Sequence, residues 1–276
     1  MVTRTISGLI GGLLVLTIIV FNQSVPFLIN IFVSTICVLT TYEIYAALGI
    51  DKTFEIMIPS VVFAGIAPIF GMGFMFNMSL YIYTIVAFFI MLFFRKLINF
   101  KDAMVVFTMT LIITFSLSAL IEIRNITKVY SSFYVLFTLA ISWMSDTGAY
   151  FTGRLFGKHK LCPEVSPKKT IEGAFGGIII SILSSLFICF IFNTFFFDNN
   201  LTVNYQNATI ICLFGSIISI MGDLCFSMFK RIYRIKDFGN VIPGHGGVLD
   251  RFDSVIFVVP FIYFIVKHTD ILNIFS

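Results

Sequence analysis

Between Ser227 and Asp253 the chain reads SMFKRIYRIKDFGNVIPGHGGVLDRFD, and this stretch concentrates reactive side chains in an otherwise apolar protein. It carries the bases Lys230, Arg231, Arg234, Lys236 and Arg251, the acids Asp237, Asp250 and Asp253, and the glycine-dense turn PGHGG. Carboxylates without His or Cys companions suit a hard, oxygen-ligated cation such as Mg2+. Cationic side chains around such a site are what a phosphate-bearing substrate requires, the metal and the bases sharing the neutralisation of its oxygens. In the turn, Gly246 and Gly247 let backbone N–H groups approach a phosphate with no Cβ in the way. His245 is a general base, a phosphate donor or a turn-stabilising residue; because an ionised phosphate needs no base to attack, the donor role is preferred.

Other acids lie inside apolar runs: Glu43 in LTTYEIYA, Asp146 in WMSDTGAY and Asp223 in SIMGDLCFS. A carboxylate placed in hydrocarbon costs about 2.5–3.5 kcal/mol on insertion scales unless it is satisfied. Taken singly, each is open to a structural reading, as a buried ion pair or as a hydrogen bond to a neighbouring helix. Asp237, beside Lys236, is expected to be solvated. Helical spacing puts Asp223, Ser227, Lys230 and Arg234 on one stripe, with Gly215, Ser219 and Gly222 as an adjacent small-residue strip for close packing. Asp250 and Asp253 share a face if a helix has begun by then.

The surroundings of these residues are a membrane protein's. Mean hydropathy is +1.01, 58% of residues are hydrophobic and 12% are charged, against about a quarter charged in soluble domains. A spanning helix needs about 20 apolar residues, and nine candidates are read at 6–22, 25–49, 56–76, 79–94, 103–121, 130–150, 173–197, 209–229 and 254–267. The first has Arg4 ahead of an apolar run but no convincing small-x-small site, so it is read as a retained helix. The expected fold is therefore an all-α polytopic integral membrane protein of nine spans in a single domain, 1–276. Residues 1–125 form a scaffold, and 130–267 form the catalytic helices and cytoplasmic loops.

With the N-terminus inside, fifteen of the 18 Lys and Arg residues fall on the cytoplasmic side, and only Arg124, Lys128 and Lys267 fall outside. Basic residues favour the cytoplasmic face, so the C-terminus is expected outside. Glu43, Asp146 and Asp223 then each lie near the inner end of their spans, within roughly 10 Å of the interface at 1.5 Å per residue. Asp250 and Asp253 reach that level from the other side. The second polar loop, FTGRLFGKHKLCPEVSPKKTIE, is broken by Gly153, Gly157, Pro163 and Pro167, and its Thr170 is placed to cap the following helix. SPKKT lacks the GxxxxGK spacing of a phosphate loop. The five cysteines are scattered, and neither a disulfide framework nor a zinc site is expected.

Ser227, Lys230–Arg231, Lys236–Asp237, Gly239, Pro243, His245–Gly246–Gly247, Asp250–Arg251 and Asp253 resemble the signature of the phosphatidate cytidylyltransferases, also called CDP-diacylglycerol synthases. The upstream SDTGAYFTGRLFGKHKL…SPKKTIEG is similar to a second block of that family. The length and nine-span layout resemble its bacterial members. The resemblance implies that phosphatidic acid attacks the α-phosphorus of CTP, releasing pyrophosphate and leaving CDP-diacylglycerol in the cell membrane, at a site facing the cytoplasm. It implies Mg2+, with a monovalent cation such as K+ beside it. Asp223 and Asp250 would hold the metal centre, with Asp146 and Asp253 as supporting ligands. Lys168, Lys169, Lys230, Arg231, Lys236 and Arg251 would take phosphates, with Ser227, Gly246 and Gly247 completing substrate binding and His245 among the catalytic set. A homodimer is implied, and no nucleic acid. Two other classes remain in view: an ion-coupled transporter, which more often places acids near the midplane, and another membrane phospho-group transferase.

Overall fold

A computed structural model describes residues 2–22, 24–49, 54–97, 99–126, 131–197, 201–242, 244, 246–268 and 272–274. Helices dominate: α1 (Val2–Phe21), α2 (Phe27–Leu48), α3 (Phe54–Ile66), α4 (Phe74–Phe93), α5 (Phe100–Asn125), α6 (Ser131–Phe156), α7 (Ile171–Phe195), α8 (Tyr205–Ile232) and α9 (Leu249–His268). Four short strands accompany them: β1 (Lys160–Cys162), β2 (Ser166–Thr170), β3 (Leu201–Val203) and β4 (Leu272–Ile274). Of the nine expected spans, all but 56–76 fall on one helix each. Five helices among the described residues, α2, α4, α5, α7 and α8, are long and apolar enough to cross a membrane.

The backbone divides into two compact units, one of Met1–Glu122 with Ile232–Phe252 and one of Ile123–Arg231 with Asp253–Ser276. In the first unit the expected span 56–76 is not a single helix. Pro68 has no N–H to continue the α ladder, so the chain tightens into a 3-10 turn at Ala67–Phe70 and ends at Gly71 with φ +66°. The 13 residues of α3 cover about 20 Å, short of the ~30 Å hydrocarbon core. Polar side chains on α2 answer the carbonyls this break exposes. Asn30 donates to Ile69 at 2.9 Å and the Ser34 hydroxyl donates to the Gly65 carbonyl. Deeper in, Ser60 joins the hydroxyls of Tyr45 (3.2 Å) and Tyr83 (2.9 Å), while Phe63 stacks on the Tyr83 ring at 4.6 Å.

The second unit is built on α6 and α7. Along α7 the buried positions are Gly173, Gly177, Ser181, Ser185 and Cys189, every fourth residue and all small. The opposite face presents Phe175, Ile179, Leu183 and Phe187, each more than half exposed. Small residues inward and large apolar residues outward are the pattern of a helix whose solvent is lipid. The inward strip brings the backbones together: a Cβ on Gly177 would lie 2.6 Å from the Ser145 carbonyl oxygen, and one on Gly148 would lie 2.8 Å from the Ile180 Cβ. Gly215 and Gly222 do the same for α8, against Ile141 and Phe257. The small-residue strip predicted for that helix thus packs closely.

Between α6 and α7, where the sequence predicts an irregular loop, β1 and β2 pair antiparallel with Lys160 opposite Thr170. The Thr170 hydroxyl accepts the Gly173 N–H at 3.1 Å, capping α7 as expected. Glu172 ties the hairpin base to α7 by accepting the backbone N–H of Lys158 and of His159 and meeting His159 Nδ1 at 2.6 Å. A second pair, β3 with β4, sets Leu201 opposite Ile274.

Candidate active site

In the second unit a cavity of about 500 Å3 opens between the hairpin and the helix ends, lined by Asp146, Arg154, Lys160, Lys168, Lys169 and Asp223 among others. Each lining residue has a different local cause. α6 runs past Asp146 to Arg154, so these two stand two turns apart along one helix. The hairpin carries Lys160 on β1 and Lys168 and Lys169 on β2. α8 delivers Asp223 one turn ahead of Ser227, whose hydroxyl lies 3.3 Å from the Asp223 carboxylate.

Two acids in this unit face cations. The Lys169 ammonium contacts Asp223, with its nitrogen buried although the side chains of both partners are about a quarter exposed. Lys230, 9% exposed, stands 3.8 Å from Asp253, 6% exposed. Asp253 also lies in the fields of Asp223 and Asp146. Ser254 links two of these acids: its hydroxyl donates to Asp146 at 2.8 Å and accepts from Ser142 at 2.8 Å, while its N–H donates to Asp253 at 2.8 Å. Arg231 donates to the Val165 carbonyl at 3.1 Å, bracing the hairpin tip.

Of the predicted residues, Asp146, Lys168, Lys169, Asp223, Ser227, Lys230, Arg231 and Asp253 belong to this unit. Lys168, Lys169, Asp146 and Asp223 line its cavity. Arg234 departs from the predicted stripe, because α8 ends at Ile232 and Arg234 adopts φ +56° beyond it. Lys236, Gly246, Gly247, Asp250 and Arg251 belong to the first unit. There the Asp250 carboxylate accepts the N–H groups of Phe238 (2.9 Å) and Gly247 (3.0 Å). Gly246 holds φ +84° and pairs with Ile242 across the turn. Lys236, Asp237 and Arg251 are exposed. His245, Pro243, Lys52 and Lys128 lie outside the described residues. Asp250 and Asp253 are three positions apart in α9, which begins at Leu249, so they share a face of one helix.

Ser142, Ser254, Lys160 and Arg154 stand at the site beyond the residues predicted for it. A hydroxyl directly after Asp253, at the mouth of an apolar run, was the available signal for Ser254.

Among the described residues no three acids, histidines or cysteines form a ready-made metal shell. Asp146, Asp223 and Asp253, with the hydroxyls of Ser227 and Ser254, nonetheless offer oxygen donors, and the ammonium groups of Lys169 and Lys230 stand against two of the acids. Oxygen donors are the kind a hard divalent cation takes, and such a cation would displace the ammonium groups from the acids toward phosphate.

Lipid-facing helices around a cavity of clustered acids and bases define a helical membrane protein with a charged, phosphate-compatible site. Residues 2–269 match the Cytidylyltransferase family over nearly the whole chain, and the protein belongs to that family. It is 45% identical over 145 residues to the phosphatidate cytidylyltransferase of Bacillus subtilis, covering 52% of this chain and 51% of that protein. It is 47% identical over 136 residues to that of Staphylococcus epidermidis (49% and 50% covered), and 47% over 127 residues to that of Staphylococcus haemolyticus (46% of each). The matched region thus spans about half the length of these curated relatives.

Proposed function

We propose that the protein transfers a cytidylyl group from CTP to phosphatidic acid. A phosphate oxygen of phosphatidic acid forms a bond to the α-phosphorus of CTP, the bond from that phosphorus to the bridging β-phosphate oxygen breaks, and pyrophosphate leaves. CDP-diacylglycerol remains in the membrane. The observation that carries this reading is the cavity where Arg154, Lys160, Lys168 and Lys169 stand around Asp146 and Asp223. Two polyanions repel each other, and fixed cations at their meeting point lower the barrier as charge moves to the leaving group. Relatives named phosphatidate cytidylyltransferase support the choice of substrates.

Mg2+ is proposed to be held by Asp223 and Asp250, with Asp146 and Asp253 as supporting ligands, on the motif; bound there, it would polarise phosphate oxygens and stabilise departing pyrophosphate. K+ is proposed as a companion cation. The chain's own groups do the rest. Lys168 and Lys169 hold CTP phosphates at the hairpin, Arg231 keeps the hairpin tip against α8, and Ser254 orients Asp146. Ser227, Lys230, Lys236, Arg251, Gly246 and Gly247 are assigned to phosphate contacts and His245 to donation, on the motif.

The charge asymmetry of the loops supports nine spans, a cytoplasmic N-terminus, an external C-terminus and a site open to cytosolic CTP in a bacterial cell membrane. A homodimer is the proposed assembly. The test uses CTP labelled at either the α- or the γ-phosphate, with purified protein in phosphatidate-containing micelles. Only the α-label enters lipid if the reading holds; γ-label in lipid would indicate a kinase, and no label in lipid would leave the family fold with another activity.

A further inference from the structure

The α2 sequence contains a single acid, Glu43, and it is 2% exposed. Its carboxylate is committed to backbone 205 and 206 positions away: Oε1 accepts the Val248 N–H at 2.8 Å and Oε2 accepts the Leu249 N–H at 2.7 Å. Leu249 is the first residue of α9, so these donors are among the orphan N–H groups that every helix leaves at its start. They lie at the positive end of the helix dipole, where a carboxylate is favoured. A distant residue thereby does the work of a local N-cap.

Two glycines make room for it. A Cβ on Gly239 would lie 2.6 Å from Glu43 Oε1, and one on Gly247 would lie 2.6 Å from Glu43 Oε2. Three successive N–H groups are divided between two acids: Asp250 takes Gly247, and Glu43 takes Val248 and Leu249. The turn from Phe238 to Asp250 is thus pinned at both ends, by Asp250 on Phe238 and by Glu43 on the helix start.

We propose that Glu43 is a positioning residue for the transfer reaction, acting through Asp250. By capping α9 from α2 it fixes the turn on which Asp250 and Arg251 are presented. This rests on the assignment of Asp250 to the reaction made above.

The test is made on the full chain in lipid–detergent micelles. Glu43→Gln keeps the size but offers one accepting oxygen, and turns an NH2 toward the second N–H. Loss of a charge-assisted hydrogen bond of this kind predicts a fall in kcat on the order of 10–100-fold, with KM for CTP rising as well, because Gly246, Gly247 and Arg251 on the same turn are assigned to phosphate contacts. Hydrogen exchange should quicken at Val248 and Leu249 and stay unchanged in the other helices. Gly239→Ala, which displaces the carboxylate without removing it, should reproduce the kcat loss and serves if the Gln variant does not fold. Wild-type kcat in either folded variant overturns the proposal. So does a loss that comes with faster exchange throughout the chain, which marks Glu43 as a general fold contact. Asp250→Asn separates the two readings. If it is inactive while Glu43→Gln turns over normally, only the positioning role fails; if it turns over normally, the assignment of Asp250 fails and this inference with it.

Discussion

Lys169 rests its ammonium against the carboxylate of Asp223, joining strand β2 to the cytoplasm-proximal half proposed for α8. The nitrogen is buried at a cavity whose other walls carry Arg154, Lys160 and Lys168. A cation at this point holds Asp223 in place and, on the proposed function, meets an incoming phosphate. Lys169→Met is therefore expected to lower kcat/KM for CTP by about 100-fold or more, the scale seen when one charge-stabilising donor is lost. Steady-state kinetics with CTP varied at saturating phosphatidate checks it, and an unchanged kcat/KM would remove Lys169 from the site.

Ser254 makes a narrower prediction. Its hydroxyl is the donor to Asp146 and is itself supplied by Ser142. Ser254→Ala leaves Asp146 short of a hydrogen bond to a charged group, worth about 1.5–3 kcal/mol. Turnover should fall at least about tenfold by the usual conversion of free energy to rate, with the helical circular dichroism signal preserved.

What could be read from the chain beforehand divides along a physical line. Features set by local rules were legible: Thr170 as a cap, the small strip Gly215–Ser219–Gly222 as a packing face, and Asp250 with Asp253 on one helix face. Asp146 and Asp223 announced themselves because a carboxylate inside an apolar run demands a reason, and both line the cavity. Features that depend on distant partners were not legible. No pattern in LTTYEIYA tells that Glu43 caps a helix some two hundred residues later, and nothing in SPKKT tells that it pairs with Lys160–Cys162. Apolar composition makes 56–76 resemble one span, but the backbone consequences of Pro68 and Gly71 break it.

The α6–α7 contact offers a stability test. Gly177 has no room for a side chain, since its Cβ would lie 2.6 Å from the Ser145 carbonyl. Gly177→Val forces the helices apart and should cost about 1–3 kcal/mol or more, the range for overpacking. Leu183→Val, on the exposed face of the same helix, should change stability by less than about 0.5 kcal/mol, as surface changes do. Thermal unfolding in micelles compares the two. Equal effects would contradict the assignment of the lipid-facing and packed sides of α7.

The claim on which the rest depends is that Asp223 serves cytidylyl transfer at the basic cavity. The most direct measurement is Mg2+-dependent incorporation of α-phosphate-labelled CTP into lipid by wild-type protein and by Asp223→Asn, at equal folded concentration. The predicted result is labelled CDP-diacylglycerol from wild type, abolished by chelation and restored by Mg2+, with none above background from the variant. Labelled lipid formed by Asp223→Asn at the wild-type rate would contradict it.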